Sequence, residues 1–118
     1  MPHRIVFWKP STGVDPFLPA ASPLGDALLA QLRTGAPSEL LETWDVPSFL
    51  DGFADRFPDA TRAEDRLVWN GPSGEAIEVG SGVQHVTVHL WDGPPDDDEE
   101  RLWELAESLG LSHYDAGN

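Results

Sequence analysis

Two histidines four residues apart, His85 and His89, are the first side chains in this sequence that could do chemistry. On a helix, that spacing brings two imidazoles onto one face, where they can share a zinc ion. The neighbouring residues argue for a strand instead. Val86, Val88 and Leu90 alternate with His85, Thr87 and His89, and four strand residues span about 13 Å. Ligand bonds to zinc are about 2 Å long, so the pair does not chelate one ion. Both histidines are expected on a surface-facing or partner-facing side.

A second set is acidic. Asp96, Asp98 and Glu100, with Glu104 and Glu107 beyond, imitate the alternating oxygen ligands of a calcium loop. Such a loop needs glycine at its sixth position for a sharp turn, and Arg101 stands there. The start of a helix explains the same carboxylates. Asp96 can cap it, Glu99 completes a capping box, and Asp97, Asp98 and Glu100 load a first turn that favours negative charge.

No nucleophile is set up for catalysis. In an extended segment His113 and Asp115 share a side while Tyr114 points away, and no serine or cysteine partner is apparent on that side. Ser73 and Ser81 lie in glycine turns, outside any Gly-x-Ser-x-Gly elbow, and no phosphate-cradling glycine motif occurs. No metal and no cofactor are expected.

The positioning elements follow from periodicity. His3 to Trp8 reads as a strand, with Ile5 and Phe7 on one side and Val6 and Trp8 on the other. Lys9 to Ala21 carries Pro10, Gly13, Pro16 and Pro19 and reads as a loop. Ser22-Pro23 looks like the start of a helix with Leu24, Ala27, Leu28 and Leu32 inward and Gly35 as its stop. Ser38 to Trp44 has the apolar spacing of two helical turns, and Pro47-Ser48 opens a helix whose stripe is Leu50, Phe53, Ala54 and Phe57. Thr61 to Glu64 matches a capping box for a single turn.

Segments 67–70, 75–79 and 83–91, joined by short glycine-containing links, predict antiparallel hairpins. A helix then buries Leu102, Leu105, Ala106 and Leu109 and closes at Gly110, and 111–115 gives a last strand. The predicted order is β-α-α-β-β-β-α-β. This is a single α+β domain, an antiparallel sheet of about five strands with helices packed on one face.

Trp91 has the parity of His85, Thr87 and His89, and Trp8 and Trp69 are also expected away from the helices. A face of Trp, His and Thr rimmed by carboxylates would suit recognition, since aromatic rings anchor interfaces. Alternatively, the 9–21 loop or a homodimer mate covers it.

Charge bounds the partner. Twenty-one acidic residues against seven basic ones give a formal net charge of −14 over 118 residues. Such a surface repels phosphate backbones and anionic membranes, so neither nucleic acid nor membrane binding is expected, and it attracts basic proteins. The chain has no cysteine, no apolar run near the roughly 20 residues of a membrane span, and a short apolar start unlike a signal peptide. A cytoplasmic location is expected.

The strand ending Val6-Phe7-Trp8, the helix end Phe53-x-x-x-Phe57-Pro58-Asp59, the central Trp69 and the closing Gly110-Leu111-x-x-Tyr114-Asp115 resemble a diffuse group of small acidic bacterial proteins. Some proteins of this kind are immunity or antitoxin-like and neutralise a toxin by binding it. The chain departs from that group in ending Ala116-Gly117-Asn118 where Pro-Gln is usual. The resemblance implies no site residue.

Three readings follow. In the first, a binding module blocks a basic partner protein. The carboxylates of Asp92, Asp96, Asp97, Asp98, Glu100 and Glu104 steer association, and Trp91 anchors it beside His85 and His89. In the second, a small enzyme or ligand-binding domain has a pocket lined by His85, His89, Trp91 and Tyr114. In the third, the chain is a structural homo-oligomer subunit joined through the open sheet face.

Overall fold

A computed structural model describes residues 3–11, 24–63, 66–71, 74, 76–82, 84–91 and 96–117. Its elements run β1 (His3–Trp8), α1 (Leu24–Arg33), α2 (Val46–Arg56), β2 (Thr61–Ala63), β3 (Arg66–Asn70), β4 (Ala76–Ser81), β5 (His85–Trp91), α3 (Asp96–Ser108) and β6 (Ser112–Gly117). The strands form one open sheet in the order β2-β3-β4-β5-β1-β6, and every pairing is antiparallel. The α+β class and the antiparallel sheet follow the sequence reading, with six strands rather than about five.

Strand alternation divides the core in two. Ile5 and Phe7 join Phe49, Phe53, Leu102 and Leu105 on the face that carries α2 and α3. Val6 and Trp8 point the other way and pack with Leu28, Leu29, Leu32 and Tyr114, so α1 covers the opposite face. Helices therefore lie on both faces, not one. The reason is visible in β1, where Ile5, Val6, Phe7 and Trp8 are all buried and need cover on both sides.

Helix α2 is set by local chemistry. Asp45 holds the N-cap position without a side-chain bond to the helix backbone, Pro47 sits in the first turn, Ser48 N–H donates to the Asp45 carbonyl at 3.0 Å, and the Ser48 hydroxyl donates to Asp45 Oδ2 at 2.6 Å. Val46, Phe49, Leu50 and Phe53 form its buried side. Gly52 lets α3 come close, because a Cβ there would run into Leu105. In α1 the inward residues are Leu28, Leu29 and Leu32, while Ala27, expected inward, is exposed. The proposed start at Ser22-Pro23 lies outside the described residues.

Two predicted helical stretches are not helical. Residues 38–44 form turns and an isolated bridge between Pro10 and Leu41. Their polar groups are satisfied from elsewhere. Gln84 accepts from Ser38 N–H at 2.7 Å and donates to the carbonyls of Ser38 and Leu41, at 3.2 and 3.0 Å. The Trp44 indole donates to the Gln84 carbonyl at 2.9 Å, and Glu42 N–H donates to the Lys9 carbonyl at 2.7 Å. Thr61–Ala63 is strand β2, paired with β3. A lone helical turn carries the full nucleation cost for one hydrogen bond, whereas pairing with β3 satisfies the same backbone at once.

Trp69 also changes sides. With Leu67 it faces α2, packing on Phe57 at 5.2 Å between ring centroids, and it is half-buried Val68 that looks outward.

Candidate functional site

Strand β5 holds the expected register. Val86, Val88 and Leu90 enter the core beneath α2 and α3, leaving His85, Thr87, His89 and Trp91 on the other face. The two histidines occupy separate rows of the sheet. His85 lies opposite Trp8, and His89 sits between Glu78 of β4 and Arg4 of β1.

Exposure then separates these residues. His85 is only 6% exposed, out of reach of a partner, because it lies opposite buried Trp8 and close against Gly82. The expectation of an outward His85 is corrected by that cover. Among the described residues, His85 Nδ1 and Trp8 Nε1 are buried without a hydrogen-bond partner. Burial pushes the His85 imidazole below its ordinary value, and the Arg33 charge adds to the effect. His89 is half-buried, and burial also lowers its pKa; Glu78 opposes that shift while Arg4, Arg33 and Arg66 reinforce it. Glu78 is itself paired with Arg66 at 2.8 Å. Trp91 is 40% exposed, with the His89 ring 6.5 Å away.

Trp91 and α3 fall on opposite faces of the sheet, since it is Leu90 that points toward the helix. A single surface combining Trp91 with Glu100 and Glu104 is therefore not what the fold builds. Asp92 lies outside the described residues, and Asp96, Asp97 and Asp98 open α3 with side chains that also lie outside them.

A cleft of about 500 Å³ lies instead between α3 and β6. Phe7, Ala106 and Leu111 supply apolar lining, Trp103 and His113 supply two more rings, and Glu100, Glu104 and Glu107 supply carboxylates. The rings are ordered. Trp103 meets Phe7 at 5.3 Å and 81°, and His113 at 4.9 Å and 83°, edge to face in both cases. The three glutamates are exposed, and their spacing places them along one side of the helix over about 10 Å.

The expected pocket is thus displaced: none of His85, His89, Trp91 or Tyr114 lines this cleft. Tyr114 is buried on the α1 side, stacked on Trp8 at 5.7 Å and 6°.

Glu104 and Glu107 oppose helix stability. Like charges three or four residues apart cost about 0.2–0.5 kcal/mol per pair, and negative charge in a last turn opposes the helix dipole. Helix α3 carries no basic residue in its last turn to offset Glu107. No lysine or arginine lines the cleft, and among the described residues none of the three glutamates is in an ion pair. Such a site attracts a flat or compact cation: carboxylates supply charge, and aromatic faces bind the desolvated cation. No three His, Asp or Glu side chains gather as metal ligands among the described residues. No described helix is long and apolar enough to cross a membrane.

The chain matches no family model, no curated protein and no solved structure.

Trp103, Glu107 and His113 escaped the sequence reading as a group. Glu100, Trp103, Glu104 and Glu107 share one helix side, beside the buried stripe rather than opposite it, and that was the available signal.

Proposed function

We propose that this protein is a binding module for a basic protein partner, of the kind an immunity or antitoxin-like protein provides when it holds a toxin. One observation carries the reading. Three carboxylates share an aromatic-walled cleft that no lysine or arginine lines, and two of them, Glu104 and Glu107, stand there at a cost to the helix that bears them. The net charge of −14 supports it further, because it speeds encounter with a basic surface before the cleft engages.

Function divides between the two terms. The field of the whole molecule sets the rate of association, and the cleft sets how long the partner stays. The test is affinity capture from native lysate at low salt, run with the natural chain and with Glu100, Glu104 and Glu107 changed to glutamine. The expected result is a basic protein retained by the first and largely lost by the second. Retention of no basic protein, or equal retention by both, overturns the proposal.

A further inference from the structure

We infer that the occupant of the cleft is an arginine side chain carried on an extended segment of the partner, aligned along β6. This rests on the binding-module reading and specifies its mode.

The cleft's volume of about 500 Å³ lies within the range of about 300–1,000 Å³ typical of sites for whole small ligands. It has room for a long side chain together with part of the backbone that bears it. Its walls select arginine over lysine. A guanidinium is planar and weakly hydrated, so it stacks on rings and bridges carboxylates, whereas an ammonium holds its water. The same helix already uses this contact elsewhere. Arg101 lies 4.5 Å above the Phe57 ring and donates to the Arg56 carbonyl at 2.8 Å.

The backbone of that segment has a natural place. Strand β6 ends the sheet, and no described strand pairs with its outer side. The opposite end is β2, only three residues long, against six for β6. An outer strand offers unpaired N–H and C=O groups to an added chain. Paired residues point to the same face, so the residue set opposite His113 would aim its side chain at Trp103 and the glutamates. The neighbours of that residue would point to the α1 side. One arginine at the right register satisfies both backbone and cleft.

The test is a nuclear magnetic resonance titration at low salt. The probe is a capped pentapeptide, valine–threonine–arginine–threonine–valine, compared with the same peptide carrying citrulline, which keeps the shape and loses the charge. The arginine peptide is expected to shift the Trp103 indole N–H signal and the amides of 112–115 saturably, and citrulline to weaken binding by about ten-fold or more. The Glu104→Gln/Glu107→Gln variant, altered only on the exposed helix side, should lose a similar factor. An Asp51→Asn/Asp59→Asn variant with the same change in charge should not. Equal binding of citrulline, equal loss in the control variant, or no saturable shift at these residues overturns the inference. Shifts centred on Trp91 would overturn it while leaving a basic-partner module standing; failure of every basic protein to bind would remove that reading as well.

Discussion

Trp103 stands edge-on to His113, ring centroids 4.9 Å apart and planes at 83°, although one belongs to α3 and the other to β6. The turn between them creates the contact. Gly110 takes a positive φ of 69°, its N–H donates to the Glu107 carbonyl at 3.0 Å, and Leu111 N–H donates to the Ala106 carbonyl at 3.1 Å. That pair of bonds ends the helix in a Schellman motif and folds β6 back along it. The cleft is thus a product of how one helix stops.

Gly110→Ala should therefore destabilise the protein by about 1–2 kcal/mol, because an L-residue resists the left-handed conformation. Gly110→Asn, which tolerates it better, should cost less. Urea denaturation orders the three proteins; equal stability of all three would mean that this turn is not under conformational constraint.

Glu107→Gln should act in opposite directions on stability and binding. Removing a charge from the last turn relieves helix-dipole and like-charge repulsion, a gain of about 0.3–1 kcal/mol. The same change removes a carboxylate from the cleft and weakens a basic ligand. Urea denaturation and calorimetric titration of the arginine pentapeptide give the two signs. A variant both less stable and weaker-binding would make Glu107 a structural residue.

What could be read from the sequence divides along the range of the interactions. Helix α2 and strand β5 were legible because local signals agree: a proline in the first turn and a helical stripe in one, strict alternation in the other. Leu40, Leu41 and Trp44 have helical spacing too, yet their segment is held open by Gln84, some forty residues later, and no local pattern reports that. The face covered by α1 depends on β1 lying between β5 and β6, which is a property of topology. For the site, the acidic side of α3 was readable, while its pairing with His113 required knowing that β6 returns beside β1. Trp91 shares its face with His85 and His89 as the alternation indicates, while Glu100 and Glu104, grouped with it from the sequence, lie across the sheet.

Gln84→Leu should cost at least about 2 kcal/mol. Gln84 is 3% exposed, and its loss leaves Ser38 N–H and the Leu41 carbonyl without their partner, at about 1–3 kcal/mol for each such group out of water, while the Ser38 carbonyl keeps only the Leu41 N–H. The loss should appear as a lower denaturation midpoint together with faster hydrogen exchange in 38–44. Fast exchange without a fall in the midpoint would show that this segment opens independently of the core.

Ionic strength should separate the charge field from the cleft. Raising salt from about 0.01 M to 0.15 M shortens the Debye length from about 30 to 8 Å, so the association rate with a basic partner should fall steeply. Dissociation, governed by close contacts, should change little. Stopped-flow mixing over this range measures both; an association rate indifferent to salt would deny the −14 charge any role in encounter.

Acid should weaken the fold through buried His85 and half-buried His89. His85 and His89 both titrate below the ordinary value of 6.5, His85 chiefly because burial disfavours its charged form. The unfolded chain therefore binds protons on these groups at a higher pH than the folded one. Where the unfolded state holds more protons, stability rises with pH. The contribution from each histidine is fully present above about pH 6.5 and is lost as pH falls through the lower folded value. Carboxylates also titrate toward the acid end, so the comparison is between the natural chain and His85→Phe, which keeps a flat ring and removes the titration. Denaturation midpoints measured from pH 7.5 down to 5 should fall more steeply for the natural chain, and the difference between the two slopes belongs to His85. Parallel slopes would mean that the folded protein accommodates a charged His85 as readily as water does, which its burial beside Trp8 argues against.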